Sequence, residues 1–343
     1  MEPSSLYFVD NRDNLFTKVE KIIDIRYSAD RFSEEFRLSV FDVVSVGHLC
    51  IDHIFLPENP MPFVTLGGSA AYVSFAAKRL NAKTAIISKV GEDFPTTYSW
   101  WLKDEGVDIS WLVKAKGVNT TSFELKYSKN LSNRILRLRN KAPNITVADL
   151  PSSLRAKAIH IAPIAGEVTL DVAEKLRGCA EILSLDPQGL VRKFGEKGQV
   201  KHGSLKERRI LELIDVYKSS SAEIKAVTEM SDIKSAVNAI HDYGVKKVVV
   251  TLGVRGALLS LEGSLHQIPA YKSEKIVDPT GAGDAFIGGF LAELVKGKDF
   301  LWCACVGSAV ASLVVEVAGP TFFGDKQQIY GRAKALYGKE IKE

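Results

Sequence analysis

From Phe41 onward, short apolar runs alternate with longer segments that carry a helical apolar pattern, and this alternation limits the possible folds most. The runs at 41–47, 84–91 and 246–253 are predominantly apolar, which is typical of strands buried on both faces of a sheet. Residues 282–297 predict a long apolar helix. Together these patterns predict an α/β fold in which a doubly wound, mostly parallel sheet lies between two helical layers. Ligands of such folds bind at the carboxyl ends of the strands.

Residues 118–140 follow a different pattern. They hold two stretches of alternating apolar and polar residues around a polar turn at Ser128–Asn133. This alternation predicts a β-hairpin with one solvated face. A hairpin that interrupts a strand–helix array indicates a lid outside the main sheet.

The composition excludes several classes of protein. The chain has 343 residues and a formal net charge of +4, which is too small to indicate binding to nucleic acid or to a membrane surface. No apolar run is long enough to cross a bilayer, and residues 1–16 carry acids where a secretory signal would have an apolar core. The four cysteines form no C-x-x-C pair and are expected to be buried thiols in a reducing compartment. We therefore expect a cytoplasmic protein.

We expect three parts along the chain. Residues 1–40 are charged and carry no motif, which predicts an N-terminal extension. Residues 41–330 form one α/β domain, and residues 331–343 are a C-terminal tail. Segments at about 50–66 and 118–140 are inserted in the domain and are predicted to build the lid.

The segment Asp278–Phe286, DPTGAGDAF, indicates the chemistry. Its turn residues precede a helix from Ala282, so free N–H groups gather at the positive end of a helix dipole, which suits phosphate. Asp284 falls in the first turn of this helix, where an acid need have no role other than to stabilise the helix dipole. Gly281 and Gly283, however, let a ligand approach the backbone closely. A carboxylate beside phosphate is then expected to accept a proton from an attacking hydroxyl.

These residues resemble the C-terminal signature of the ribokinase-like (PfkB) carbohydrate kinase family, which DPTGAGDAFIGGF matches almost in full. A counterpart of the family's N-terminal signature begins at Gly67–Ala71, and the likeness covers residues 41–330 in the family's order. The resemblance implies a Rossmann-like, three-layer αβα fold with a small β-sheet lid that clasps the substrate. In some members that lid joins two copies, so a homodimer through the lid is expected here. The implied reaction transfers the γ-phosphate of ATP to a hydroxyl of a small sugar or polyol.

The resemblance also assigns roles on the donor side. Asp284 becomes the catalytic base, and the N–H groups of Gly281, Ala282 and Gly283 stabilise the transferring phosphoryl group. The residues matched to the ATP site are Thr251, Gly253, Gly256, Ser220 and Gly283. Without the other motifs, Thr251–Gly256 would be interpreted as a plain turn between strands. Glu223 matches an acid that holds Mg²⁺ through water, although Ser220 replaces the family's Asn, and Asp278 lies where members bind K⁺.

The residues that the resemblance assigns to the acceptor are Asp52, Gly67, Gly68, Gln188, Arg192 and Asp284. Tyr72 stands where many members carry a substrate-contacting Asn. VGHLCIDHI, Tyr72 and DPQGLVR are together similar to the branch that includes myo-inositol kinases. On the returning lid strand, Arg134, Arg137 and Arg139 are candidates to face the substrate, with at least two of them expected on a solvated face.

Three other functions are compatible with parts of the sequence. A nucleoside is an alternative acceptor, because the lid segments contain aromatic residues that could stack on a base: Phe55, Phe63, Phe123 and Tyr127. A sugar-binding regulator without catalysis could use the same fold, but retention of Asp284 beside a complete phosphate turn argues against it. An NAD enzyme is disfavoured because the glycines at 281–283 lack the last glycine of a dinucleotide fingerprint.

Overall fold

The computed structural model describes residues 41–340 except 58, 60, 130, 132 and 262. The predicted N-terminal extension, residues 1–40, lies outside the described residues. In chain order the strands are β1 (Phe41–Val46), β2 (Cys50–Phe55), β3 (Phe63–Gly67), β4 (Thr84–Val90), β5 (Asp108–Lys114), β6 (Ser122–Tyr127), β7 (Arg134–Asn140), β8 (Ala156–Ile161), β9 (Ala180–Leu185), β10 (Arg192–Phe194), β11 (Val200–His202), β12 (Val216–Ser220), β13 (Lys247–Thr251), β14 (Ala257–Leu261) and β15 (Ser264–Ile268).

The helices connect these strands on both sides of the main sheet. They are α1 (Ser69–Arg79), α2 (Thr96–Asp104), α3 (Leu170–Arg177), α4 (Gln188–Val191), α5 (Ser221–Thr228), α6 (Ile233–His241), α7 (Ala282–Leu294), α8 (Phe300–Val314) and α9 (Lys326–Glu340). Short 3-10 turns lie at Val147–Asp149, Arg208–Leu213 and Gly253–Arg255. No helix of the described residues is long and apolar enough to span a membrane.

The central sheet has nine strands in the order β15-β14-β13-β12-β9-β8-β1-β4-β5. All neighbours from β13 to β5 pair in parallel, and only the β13–β14–β15 edge is antiparallel. Successive residues of a strand face opposite sides, so Val43 packs with α1, α7 and α8 while Val44 packs with α3 and α6. Burial on both faces explains the nearly continuous apolar runs, and the predicted three-layer, mostly parallel fold is confirmed.

A second sheet of four strands has the order β3-β2-β6-β7 and lies within the two segments that were predicted to build the lid. Ser128 donates its N–H to Asn133 O at 2.9 Å across the turn between β6 and β7. One face of this sheet packs on Ile164 and Ala165, and the exposed apolar side chains Val64 and Ile135 lie at its edges.

Residues 192–202 contain the β10–β11 hairpin, in which Gly198 O accepts a hydrogen bond from Leu138 N of β7 at 2.8 Å. The expected boundary between domain and tail, at residue 330, falls inside α9. Ala333 and Leu336 of this helix are buried in the core beside α8. The division into domain and tail stays a prediction.

Candidate active site

Two adjoining cavities lie at the carboxyl ends of the strands, where ligands of such sheets bind. The smaller cavity has a volume of about 50 Å³, and the larger one has about 610 Å³. Both are lined by the same six residues, Arg134, Leu136, Gln188, Arg192, Gly281 and Asp284. Asp52, Gly68 and Tyr72 line only the smaller cavity, whereas Glu223, Thr251 and Gly283 line only the larger one. The carboxylate of Asp284 can therefore contact molecules in either cavity.

The start of α7 forms the wall between the cavities. Gly281 caps this helix with φ +73°, and a β-carbon there would lie 2.2 Å from the ring of Tyr72, so only glycine fits. Ala282 N–H makes a long contact of 3.4 Å with Pro279 O. Gly281 and Gly283 donate no N–H to any described residue. The N–H groups of Gly281, Ala282 and Gly283, which are predicted to bind phosphate, thus lie together. Those of Gly281 and Gly283 have no acceptor among the described residues.

Asp284 takes part in a chain of hydrogen bonds. Its Oδ1 accepts from Gln188 Nε2 at 3.2 Å, and the same Nε2 donates to Ser69 Oγ at 2.6 Å. Gln188 Oε1 accepts from Arg192 Nη2 at 2.6 Å. Because a guanidinium can only donate, Arg192 fixes the amide with its NH₂ group towards Asp284. Gln188 and Arg192, both predicted on the acceptor side, therefore orient the carboxylate.

Asp52 is nearly fully buried at the end of the smaller cavity. Its Oδ1 accepts a hydrogen bond from Cys50 Sγ at 3.1 Å. A β-carbon at Gly67 would lie 2.1 Å from Asp52 Oδ2, so this glycine makes the room for the carboxylate. Burial raises the pKa of Asp52 to about 6, against the opposing effects of the Cys50 hydrogen bond and Arg134. Gly68, with φ +97°, lines the same cavity.

The lid contributes one arginine to the cavities. Arg134 lines both, and its Nη1 donates to Tyr127 OH at 3.1 Å. That hydroxyl lies 2.8 Å from Thr280 Oγ1, which links the lid to the turn before α7. Arg137 instead lies 3.9 Å from Glu124, and Arg139 is exposed, so neither belongs to the site. The Arg137 side chain is 44% exposed, so Arg137 and Arg139 both lie on a solvated face, as expected for at least two of the three arginines.

On the donor side, Ser220 and Glu223 form a capping box at the start of α5. Glu223 Oε2 accepts from Ser220 N at 2.7 Å, and Ser220 Oγ accepts from Glu223 N at 3.3 Å. Both residues line the larger cavity. Burial by itself would raise the pKa of Glu223, but the nearby Lys218 and the Ser220 hydrogen bonds hold it below the usual value. Glu223 is therefore an anion at the cavity wall, with one carboxylate oxygen outside the cap.

The loop after β13 is divided between the cavity and a turn. Thr251 lines the larger cavity, whereas Gly253 and Gly256 lie outside its lining, in the turn to β14. Gly256 has φ +88°, and a β-carbon there would lie 2.0 Å from Ile268 O. The structure thus gives this glycine a role in the turn and does not bring it to the site.

Asp278 uses both carboxylate oxygens within the protein. Oδ1 accepts from Thr280 N at 2.9 Å, and Oδ2 accepts from Gly319 N at 3.0 Å. These bonds tie the turn before α7 to the segment after α8. The K⁺ role of Asp278 stays a prediction.

An ion pair and a hairpin at the larger cavity were not predicted from the sequence. Lys218 Nζ lies 2.5 Å from Asp186 Oδ2, and both side chains are buried. A lysine and an aspartate at the ends of apolar strands were the available signal. Lys201 and His202 of β11 also line this cavity and are exposed. His48 Nδ1 lies 2.8 Å from Thr121 Oγ1, outside the cavity linings.

Comparisons with known proteins identify the family and the fold of this chain. A sequence profile of the pfkB family of carbohydrate kinases matches residues 40–327. A cytidine kinase of Thermococcus kodakarensis is 32% identical over 286 residues, which cover 82% of this chain and 98% of that protein. An inositol 3-kinase of Arabidopsis thaliana is 28% identical over 292 residues, or 82% of this chain and 76% of that protein. A pyrophosphate-dependent kinase in the ribokinase family, complexed with a pyrophosphate analogue and myo-inositol, has the same fold, with a TM-score of 0.73 at 24% identity over 84% of this chain and 99% of that chain.

Proposed function

Because the chain belongs to the pfkB family of carbohydrate kinases, we propose that it transfers the γ-phosphate of ATP to a hydroxyl of a small sugar or cyclitol such as myo-inositol. Members of this family are phosphotransferases with hydroxyl acceptors. The observation that carries the proposal is the position of Asp284, which lines both cavities at the start of α7. An acceptor in the smaller cavity and a donor in the larger one would meet at this carboxylate.

The lining of the smaller cavity supports a polyhydroxylated acceptor. Asp52, Gln188 and Arg192 present a carboxylate, an amide and a guanidinium, which match the donors and acceptors of hydroxyl groups. Its volume of about 50 Å³ is room for roughly three to five water molecules. We infer that it receives the hydroxyl groups of one small ring.

The geometry supports the following roles in the reaction. Asp284 accepts the proton of the acceptor hydroxyl while that oxygen forms a bond to the γ-phosphorus. The bond between this phosphorus and the leaving oxygen of ADP breaks, and ADP keeps that electron pair. Gln188 holds the carboxylate in place, and the free N–H groups of Gly281 and Gly283 stabilise charge on the transferring group. The lid over both cavities would exclude water, which would otherwise compete as acceptor.

The residues at the larger cavity fit a Mg²⁺ ion that is held mainly by the donor. In the part of the chain that the structure describes, no three His, Cys, Asp or Glu side chains are grouped to bind a metal. Mg²⁺ keeps several waters and takes one or two carboxylates together with substrate phosphates, so Glu223 would hold it through water. When bound, the ion neutralises phosphate charge.

The direct test is an acceptor panel with the purified protein and Mg²⁺. Release of ADP from ATP is measured with cyclitols, aldoses, ketoses and nucleosides. In a parallel series inorganic pyrophosphate replaces ATP, and the release of orthophosphate is measured. We expect the highest kcat/KM with a cyclitol or sugar. Turnover confined to nucleosides would reject this acceptor class, and no turnover above the ATP hydrolysis background would reject the kinase.

A nucleoside is the second candidate acceptor. The cytidine kinase similarity favours it, and Tyr72 and Phe123 bring aromatic rings to the smaller cavity. Of the lid aromatics considered from sequence, only Phe123 lines that cavity, while Tyr127 contacts Thr280. The panel separates the candidates, because a nucleoside kinase would prefer cytidine or another nucleoside to its free sugar.

The exposed edges of the lid sheet support the predicted homodimer. Val64 and Ile135 are apolar and exposed there. We propose that a second copy covers them, and sedimentation of the wild type against Val64→Lys, at the edge that lines neither cavity, tests this contact.

A further inference from the structure

Tyr127 joins the tip of the lid to the turn before α7. It is the last residue of β6 and pairs directly with Arg134, the first residue of β7, next to the hairpin turn. Its hydroxyl lies 2.8 Å from Thr280 Oγ1, and both residues are buried. Tyr127 itself lines neither cavity. A hydrogen bond at the far end of a hairpin restrains its position more than one near its base, because the tip moves furthest when the hairpin swings.

The hydrogen bonds around this hydroxyl can run in one direction only. Thr280 Oγ1 lies 2.5 Å from Asp278 Oδ1, and a carboxylate can only accept, so Thr280 donates to Asp278. The single proton of Thr280 is then used, so the Tyr127 hydroxyl donates to Thr280. Burial raises the pKa of Tyr127, so this hydroxyl keeps its proton. Because Arg134 Nη1 donates to the Tyr127 oxygen at 3.1 Å, the donors run from the lid, through Tyr127 and Thr280, to Asp278.

The groups on either side of this hydroxyl line the cavities. Arg134 lines both of them, and Thr280 lines the smaller one. Thr280 directly precedes Gly281, whose N–H has no acceptor among the described residues. Asp278 Oδ2 accepts from Gly319 N at 3.0 Å, which ties the turn to the segment after α8. The hydroxyl therefore sets how close a cation of the lid lies to the turn that is predicted to bind phosphate.

We propose that Tyr127 is a positioning residue whose hydrogen bond to Thr280, here called the latch, couples binding of the acceptor to binding of the donor. This inference rests on the proposed kinase function. With the latch formed, Arg134 lies against the acceptor and the turn is held in place for the phosphates. Each ligand makes its full set of contacts only in this state, so each one favours the latch and strengthens binding of the other.

The competing explanation is that the hydroxyl only contributes to the stability of the fold. Tyr127→Phe removes one oxygen atom and keeps the ring in the apolar core of the lid, while Thr280 keeps its bond to Asp278. Thr280→Val breaks the latch from the other side and is used if Tyr127→Phe does not fold. The matched control is Tyr330→Phe, because the Tyr330 hydroxyl donates to Glu293 Oε1 at 2.8 Å on α9, outside both cavity linings.

Calorimetry measures the coupling directly. The best acceptor of the panel is titrated with and without a saturating non-hydrolysable ATP analogue and Mg²⁺. We expect the analogue to tighten acceptor binding at least about fivefold in the wild type and in Tyr330→Phe, but less than about twofold in Tyr127→Phe. Initial rates should show kcat/KM for the acceptor about tenfold lower in Tyr127→Phe alone. The same variant should lose a larger share of its ATP to hydrolysis by water.

Hydrogen exchange needs neither ligand nor turnover. Amides of residues 122–127, 134–140 and 278–283 should exchange faster in Tyr127→Phe than in the wild type, and those of β8 should not. A folded Tyr127→Phe with the coupling of the wild type, or a wild type without coupling, would overturn the proposal. If the wild type phosphorylated nothing in the acceptor panel, the proposed function would fail, while faster exchange confined to the lid and the turn would still establish the latch.

Discussion

The two cavities that meet at Asp284 are built by different means. The larger one is lined by backbone at the start of α7 and by residues at the ends of adjacent strands, such as Ser220 and Thr251. The smaller one is distinguished by side chains from remote segments that do not reach the larger one: Asp52 from β2, Tyr72 from α1 and Phe123 from β6. A site built of backbone N–H groups binds phosphate in any chain that keeps the turn. A site built of side chains determines which acceptor is bound. We therefore expect substitutions at the smaller cavity to change acceptor use selectively.

The largest effect on turnover is expected at Asp284, where the two cavities meet. Asp284→Asn removes the proton acceptor and should lower kcat by about 10²–10⁴-fold, with both ligands still bound. Steady-state rates and calorimetry with an ATP analogue measure the two quantities. Asp171→Asn is the matched control, because Asp171 lies in the first turn of α3 and is exposed. If both variants lost activity equally, Asp284 would be only a dipole-stabilising acid.

The next effect concerns the smaller cavity alone. Asp52→Asn removes a buried carboxylate, and the loss of charge-assisted hydrogen bonds to the acceptor should raise its KM by about 10- to 100-fold. Gly67→Ala should act in the same direction, because its methyl group would lie 2.1 Å from Asp52 Oδ2. KM for ATP should stay within about twofold in both variants. An equal rise in both KM values would contradict the division between the cavities.

A pH profile tests the same carboxylate. Burial raises the pKa of Asp52 to about 6, so the group ionises above that pH. Acceptor affinity should be constant above about pH 7 and should fall about tenfold per unit below pH 6. Calorimetric titration should show this acid limb in the wild type, and its persistence in Asp52→Asn would assign it to another group.

The raised pKa also fixes the sign of the stability change. A carboxyl whose folded pKa exceeds its ordinary value destabilises the fold when ionised, and this cost decreases progressively as the pH falls from the folded pKa of about 6 to the ordinary value of 3.8. Asp52→Asn should therefore melt at a higher temperature than the wild type at pH 8, with a smaller difference at pH 5. This result would separate weaker acceptor binding from misfolding.

The smallest effect is expected in the turn after β13. Gly253 has φ +63° with no atom within 4 Å of an added β-carbon, and Gly297 has the same features far from the site. Alanine at either position should lower the free energy of unfolding by about 1 kcal/mol. KM for ATP should change less than about threefold in Gly253→Ala. A tenfold rise in that variant alone would extend the donor site into this turn.

The difference between local turns and contacts of remote side chains also explains which features could be predicted from the sequence. The strand–helix alternation predicted the main sheet, and the local motif around Gly281 predicted the phosphate turn, because both depend on neighbours in the chain. The contacts of Gln188 with Asp284, and of Lys218 with Asp186, join residues 96 and 32 positions apart. No local pattern encodes such pairs. The helix Lys326–Glu340 has no clear local signal either, because its apolar pattern is weak and it packs against α8.

The most direct measurement is a ternary crystal structure of Asp284→Asn with Mg²⁺, a non-hydrolysable ATP analogue and the best acceptor of the panel. The account predicts the acceptor in the smaller cavity between Asp52 and Gln188. One of its hydroxyls should lie within about 3.2 Å of the residue 284 side chain and in line with the γ-phosphorus. An acceptor bound outside that cavity, or with no hydroxyl near residue 284, would contradict the account.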